Sequence, residues 1–431
     1  MIKRAGGTMV ATNLDDAYLA FDPLKPLSGP QLESYYVSRE PNPTDRIRQI
    51  LLRAPDAPDK ILFTGHRGCG KSTELNRLLA NPEIQNTFLV VPFSLADVLD
   101  PLDLGYVDLL VAIEAGLYRA ARGADVQIDE ELTNLLERFW RPQSEPVGFL
   151  RPKQASPLEW LDLWFEGLTG PYGKLRLEAV TREHLRQALA HRVSELVVHI
   201  AYLAGLVRAQ LRRSILVAID DLDKPDIATA QELFYRHATA LTQPPCKIIY
   251  TIPIALLYAA EFRSVARSFS GWFVLPNIKV RNRDGTPNEE GRDIMRDMVA
   301  RRMDLRLIDP EALGFLIEMS GGVMREMTTL MQLACNEARV VGKESIDVSV
   351  AQTAVAIVRN EYQRSLRAEH YPQLRMVHKD KQVREIHRVY RQPGEEEAEL
   401  ALLELLHNLS ILEYSNKDSW WDIHPIVQSL L

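Results

Sequence analysis

The run Gly65-His66-Arg67-Gly68-Cys69-Gly70-Lys71-Ser72-Thr73 constrains this chain more than any other part of it. It fits G-x-x-x-x-G-K-[ST], with an apolar, strand-like run at 60–64 before it and a helix opening at 74–80 after it. Strand, glycine-rich turn and helix together turn that spacing into a mechanism. The glycines let successive backbone N–H groups face inward, forming an anion cradle completed by the helix's positive end. Lys71 then reaches the outer phosphates, and the Ser72 hydroxyl is placed to sit on Mg²⁺. The alternative, a glycine-rich turn with a chance lysine, does not account for the flanks. All nine residues are therefore candidate nucleotide contacts.

A phosphate loop needs a carboxylate at the end of a neighbouring strand. The segment Ser214-Ile215-Leu216-Val217-Ala218-Ile219-Asp220-Asp221-Leu222-Asp223-Lys224 supplies one, its aliphatic run reading as a buried parallel strand with acids at the carboxyl end. Asp220 is the candidate Mg²⁺ ligand, and Asp221 is placed to polarise an attacking water. Further strands are expected at 88–94, at 246–251 and at 272–275, giving an α/β fold with a five-stranded parallel sheet. Thr251, ending the 246–251 strand, is a candidate for orienting that water. More than a hundred residues separate the 88–94 strand from Asp220. Helices are expected there at 102–121, 129–140 and 181–212, around a segment punctuated by Pro142, Pro146, Pro152, Pro157 and Pro171. Trp140, Trp160 and Trp164 fall in this insertion, where core packing is the commoner role and partner docking the other.

Beyond Glu290 the pattern is helical. Asp309-Pro310 marks a helix start, and after Gly321-Gly322 another helix opens with Arg325 in its first turn. Arg325 is either a surface partner in an i,i+4 pair or a lid arginine reaching the phosphates. The C-terminal stretch reads as a winged helix, with a leucine-rich helix at 395–408 and a hairpin around 415–419. Residues 395–431 hold eight acidic residues against the single Lys417, which repels a phosphate backbone. Upstream, Lys381, Arg384, Arg388 and Arg391 share a helical face, preceded by Arg375 and Lys379, so a nucleic-acid partner is possible without being favoured.

The chain has 431 residues, enough for two or three domains, and a formal charge of −7 that does not suit coating nucleic acid or an anionic membrane. Cys69, Cys246 and Cys335 are too scattered for a disulfide frame or zinc site, and a free thiol in the loop suggests the cytoplasm. The longest apolar stretch, 196–207, is interrupted by His199 and too short to span a bilayer, so no membrane partner is expected.

These motifs resemble the P-loop ATPases of the AAA+/STAND group, over about residues 35–431 apart from the insertion. In that likeness 65–73 is Walker A and 215–223 is Walker B, with Asp221 where most AAA+ enzymes carry glutamate. Thr251 falls where sensor 1 belongs, and the Gly321–Arg325 run is similar to sensor 2 of an initiator-type lid. His424 is similar to the histidine that contacts bound ADP in STAND switches, although Pro425 follows it where many relatives have aspartate. Arg39, or the Tyr35-Tyr36-Val37 segment before it, occupies the region where relatives hold adenine.

The resemblance implies ATP, ADP and Mg²⁺ as ligands, slow hydrolysis, and these units: an N-terminal extension (1–34), an ATPase domain (35–285, with an insertion at about 100–212), a helical lid (286–345) and a winged helix (346–431). It also implies a nucleotide-driven switch in bacterial signalling or antiviral defence, which oligomerises or works with a separate sensor or effector protein. A nucleic-acid-associated ATPase and a non-hydrolysing nucleotide scaffold are the other readings.

Overall fold

The computed structural model describes all residues except 1, 4–8, 41, 96–98, 100–102, 147, 148, 150, 170–178, 260, 384–394 and 417. Arg384, Arg388, Arg391, Pro171 and Lys417 thus lie outside the described residues. After a small antiparallel ribbon, β1 (Ile2–Lys3) and β2 (Met9–Val10), five parallel strands build the central sheet. They are β3 (Lys60–Gly65), β4 (Phe88–Ser94), β5 (Ser214–Asp220), β6 (Lys247–Pro253) and β7 (Gly271–Val274), in the order β4-β5-β6-β3-β7. β3 and β6 are buried along their whole length, and β5 emerges only at Asp220, as expected of strands covered on both faces. The register sets Phe63 beside Thr251 and Phe273, and Ser94 beside Asp220, so the carboxyl ends share one edge. The chain leaves β3 for the far edge strand β4, and that switch of direction opens a crevice at the end of β3.

The insertion covers one face of the sheet. Its helices are Tyr106–Gly123, Glu130–Ser144, Pro157–Thr169, Ala179–Ala190 and Val193–Leu211. One core joins Trp140, Trp160, Trp164 and Phe165 to Ile215, Val217 and Tyr250 of the sheet. Each tryptophan is at most 2% exposed. Withdrawing an indole of roughly 200 Å² from water is worth on the order of 5 kcal/mol, so core packing is their role here.

Three expectations change. The expected 181–212 helix is two helices, broken where Arg192 turns to pair with Glu195 and to lie over the Phe139 ring at 4.2 Å. Helix Pro157–Thr169 occupies part of the proline-punctuated segment, where the sequence predicts no helix. The sequence between β5 and β6 also predicts a helix over 228–241, and this one is interrupted by a π-helical stretch, Glu232–Arg236.

On the other face, Leu75 and Leu78 of helix Lys71–Leu79 pack with Ile47 and Leu51 against Ile61, Phe63, Leu216 and Ile249. A third core unites helices Glu289–Ala300, Pro310–Met319, Met324–Val340 and Val348–Ser365 with Leu14, Ala17 and Phe21 near the N-terminus. The same core takes in Leu405, Leu406, Ile411 and Ile426 of the winged-helix unit, whose parts are His370–Asp380, Glu395–His407, the hairpin β8 (Ile411–Asn416) and β9 (Asp418–Ile423), and Pro425–Gln428. Gly322 makes the turn between lid helices at φ +75, where an added Cβ would lie 1.7 Å from the Ile278 carbonyl oxygen. Among the described residues no helix is long and apolar enough to cross a membrane.

Candidate functional site

The glycine-rich turn and the first residues of helix Lys71–Leu79 floor a cleft of about 970 Å³. Gly68 sits at φ +77, and a Cβ there would come within 2.6 Å of the Arg325 Cβ, so only glycine lets the loop meet the lid this closely. The Arg325 N–H donates to the Gly68 carbonyl at 3.0 Å, which fixes the start of helix Met324–Val340 on the loop. The exposed Arg325 side chain joins the cleft wall, facing Arg67.

Lys71 is buried, and its Nζ donates to the Gly65 and His66 carbonyls at 2.8 and 3.0 Å. Its third contact is an ion pair with Asp223 Oδ2 at 2.7 Å. Ser72 donates to the Asp220 carboxylate. Burial raises the Asp220 carboxyl, and neighbouring Asp223 and Asp221 push it further the same way. Crowded carboxylates beside a hydroxyl call for a hard cation, and one serine with one aspartate is the small donor set that suits a largely hydrated Mg²⁺. Among the described residues no group of three or more His, Cys, Asp or Glu converges as a metal cage. Asp221, at φ +67, accepts from Ser94 Oγ at 2.5 Å and pairs with Lys224 at 3.0 Å.

The cleft is also walled by Leu27, Tyr35, Tyr36, Val37, Met298 and Thr328. The Leu27 N–H donates to Thr73 Oγ1 at 3.1 Å, and Asn76 donates to the Leu27 carbonyl at 3.0 Å, so the N-terminal segment is pinned to the loop helix. Arg302 lies over the Tyr35 ring at 4.9 Å, with burial drawing its pKa down to about 10. Arg39 reaches the cleft but spends its guanidinium on Glu74 at 3.5 Å and on the Pro276 carbonyl at 3.3 Å.

Of the residues singled out in sequence, Arg67, Gly68, Cys69, Gly70, Lys71, Ser72, Thr73, Asp220, Asp221 and Arg325 all line this one cleft. Gly65, His66, Thr251 and His424 do not. Thr251 is buried, donating to the Ile219 carbonyl at 3.3 Å and accepting from the Leu222 N–H at 3.2 Å, so it braces the end of β5 from β6. His424, expected among the nucleotide contacts, lies off the cleft wall, inside the C-terminal unit. Its ring is fully buried, stacked on Tyr362 at 5.1 Å, and its Nδ1 accepts from the Ile426 N–H at 3.3 Å.

His66 makes the link to that unit. Its Nε2 accepts from the Glu413 N–H in β8 at 2.7 Å. Burial, then the charge of Lys71, brings the His66 pKa down to about 3, so the ring stays neutral and keeps this acceptor. Around it, Tyr414 Oη donates to the Gly321 carbonyl at 2.8 Å and Trp421 Nε1 donates to Tyr258 Oη at 2.9 Å. Asp223 and the His66–Glu413 bond were not anticipated. The D-D-x-D spacing is visible in the sequence, but it says nothing of which acid meets the lysine.

No family model and no curated protein matches the sequence. Among solved structures the chain is similar to the Aeropyrum pernix ORC2 protein in ADPNP–ADP complexes, at 12% identity and TM-score 0.45, over 94% of this chain and 93% of that one. It is also similar to the Aeropyrum pernix ORC1 protein in complex with DNA, at 14% identity and TM-score 0.43, over 96% and 98% of the two chains. A Walker-type ATPase of Pyrococcus abyssi gives 14% identity and TM-score 0.45, over 95% and 99%. Likenesses of this size assign no function, and what the cleft does rests on its own residues.

Proposed function

We propose that the chain binds ATP with Mg²⁺ and hydrolyses it slowly, and that its lid and winged-helix unit respond to the nucleotide. The observation that carries this reading is the convergence of Lys71, Ser72, Asp220, Asp221 and Arg325 on one cleft. Bound Mg²⁺ would neutralise charge on the outer phosphates and help to orient them. The loop N–H groups and Lys71 hold the phosphates, while Ser72 and Asp220 hold the cation. Asp221, once released from Ser94 and Lys224, orients and polarises the attacking water. Arg325 adds positive charge from the lid, and His66 carries the state of the loop to β8. A switch of the signalling type follows from that linkage, opening or assembling as the nucleotide changes, by itself or with a separate sensor or effector. It needs only a differential affinity of a few kcal/mol between states.

Turnover of the wild type, Lys71→Ala and Asp221→Asn in Mg²⁺ buffer tests the core of this reading. The expected result is slow wild-type turnover, loss of ATP binding in Lys71→Ala, and retained binding with turnover down by about 10²-fold or more in Asp221→Asn. Equal background rates in all three proteins would remove the ATPase assignment. Exposed Arg375 and Lys379 on helix His370–Asp380 support a second reading, an ATPase associated with nucleic acid. That reading requires DNA binding that weakens steeply with salt.

A further inference from the structure

Lys71 has three ammonium protons and three partners: the Gly65 and His66 carbonyls and the Asp223 carboxylate. A phosphate oxygen can therefore be met only in exchange for one of them. The two carbonyls belong to the lysine's own loop and are neutral. Asp223 carries the charge that a phosphate would bring, and it sits at 2.7 Å. Burial alone would raise the Asp223 carboxyl, but Lys71, with Arg67 beyond it, outweighs burial and holds it below the ordinary carboxylate value.

The turn bearing Asp223 is fastened to the same loop. Arg67 donates to the Asp223 carbonyl at 3.3 Å and to the Lys224 carbonyl at 2.6 Å. Lys224 in turn pairs with Asp221 at 3.0 Å, and its N–H donates to the Asp221 carbonyl at 3.1 Å. Displacing the Asp223 carboxylate thus disturbs the residue placed to activate water.

We propose that Asp223 is a positioning residue, an internal stand-in for phosphate that an incoming nucleotide displaces from Lys71. The exchange lowers nucleotide affinity and couples phosphate entry to release of the 221–224 turn. This inference rests on the nucleotide-binding reading above, so its test separates the two. Asp223→Asn keeps the shape of the side chain and removes its charge. ADP and AMP are titrated into wild type and variant in Mg²⁺-free buffer with chelator, and thermal midpoints are read with and without ADP.

ADP binding is expected to tighten roughly tenfold in the variant, because Lys71 no longer has an internal anion to give up. AMP, which has no second phosphate to reach Lys71, should bind the two proteins alike. The thermal midpoint of the variant alone should fall, since Lys71 is left as an uncompensated buried charge, and ADP should raise it by more than in wild type. Unchanged or weaker ADP binding by folded Asp223→Asn overturns the proposal while leaving the nucleotide reading intact. Equal tightening of ADP and AMP overturns it as well, because that is general loosening of the cleft. Failure of both proteins to bind ADP removes the nucleotide reading and this inference with it. Asp223→Ser provides the same comparison should the asparagine variant not fold.

Discussion

Three histidines of the folded chain are held neutral far below their ordinary range, in each case chiefly by burial. His66 and His424 are drawn down to about 3, and His407 to about 4. An unfolded histidine takes its proton near pH 6.5. Between that pH and about 4 the unfolded chain therefore binds protons the folded chain refuses, and stability falls as pH falls. Each ring contributes up to about 1.4 kcal/mol per pH unit in that window. Glu326 acts in the opposite sense, because burial and Glu361 push it up to about 7 and the folded chain takes that proton first. Asp108, Asp220 and Glu413 are raised as well, chiefly by burial, and share the sense of Glu326, but their unfolded values lie well below about 6.5. Just below about pH 6.5 the three rings therefore set the sign, and the unfolding midpoint in denaturant should drop there as pH falls. His424→Phe, which keeps a ring on Tyr362, should show a shallower drop; a parallel pH profile would contradict this account of His424. At this scale the sequence made Lys71, Ser72, Asp220 and Asp221 legible, because a strand end and a glycine turn dictate where they point. It could not show that Asp223 meets Lys71 or that His66 meets Glu413, since both partners are set by tertiary packing.

Elements were legible where burial on both faces leaves an unbroken aliphatic run, as in β3, β5 and β6. They were hidden where a distant contact decides. The break at Arg192 depends on Phe139, which no local periodicity reveals. Helix Pro157–Thr169 did carry a local signal: the Ser156 N–H donates to Glu159 at 2.7 Å and the Glu159 N–H donates back to Ser156 at 3.2 Å, a capping box spelled by Ser156 and Glu159. The prolines around it obscured that spelling. The Gly321-Gly322 turn was read correctly as a helix boundary, and the structure shows how little freedom it has. Gly322→Ala forces a side chain into φ +75 and against the Ile278 carbonyl. Its expected cost is about 2–4 kcal/mol, through strain and loss of the Ile278 N–H bond to residue 322. A thermal midpoint equal to wild type would contradict that accounting.

Across the whole molecule, the described residues form three apolar cores, one of which includes Cys69 of the nine-residue loop. The insertion and the loop helix sandwich the sheet, and the lid shares its apolar interior with both ends of the chain. The fully buried His66–Glu413 bond ties the loop to the hairpin, beside apolar contacts that join Ile227, Ala255 and Ala259 to the lid core. His66→Ala leaves the Glu413 N–H without its acceptor, at a cost of about 1–3 kcal/mol. Hydrogen exchange at that amide should accelerate by roughly one to two orders of magnitude while β3 and β5 keep their protection. Unchanged exchange at Glu413 would mean that the hairpin is held by its apolar contacts alone.

The same bond joins residues 347 positions apart. Contacts so distant carry the largest loop-closure cost and form late. During synthesis the loop and the acids of β5 leave the ribosome well before β8 exists, and chains of this size fold unit by unit in that order. The floor of the cleft is thus built before the hairpin that buttresses its loop from behind through His66.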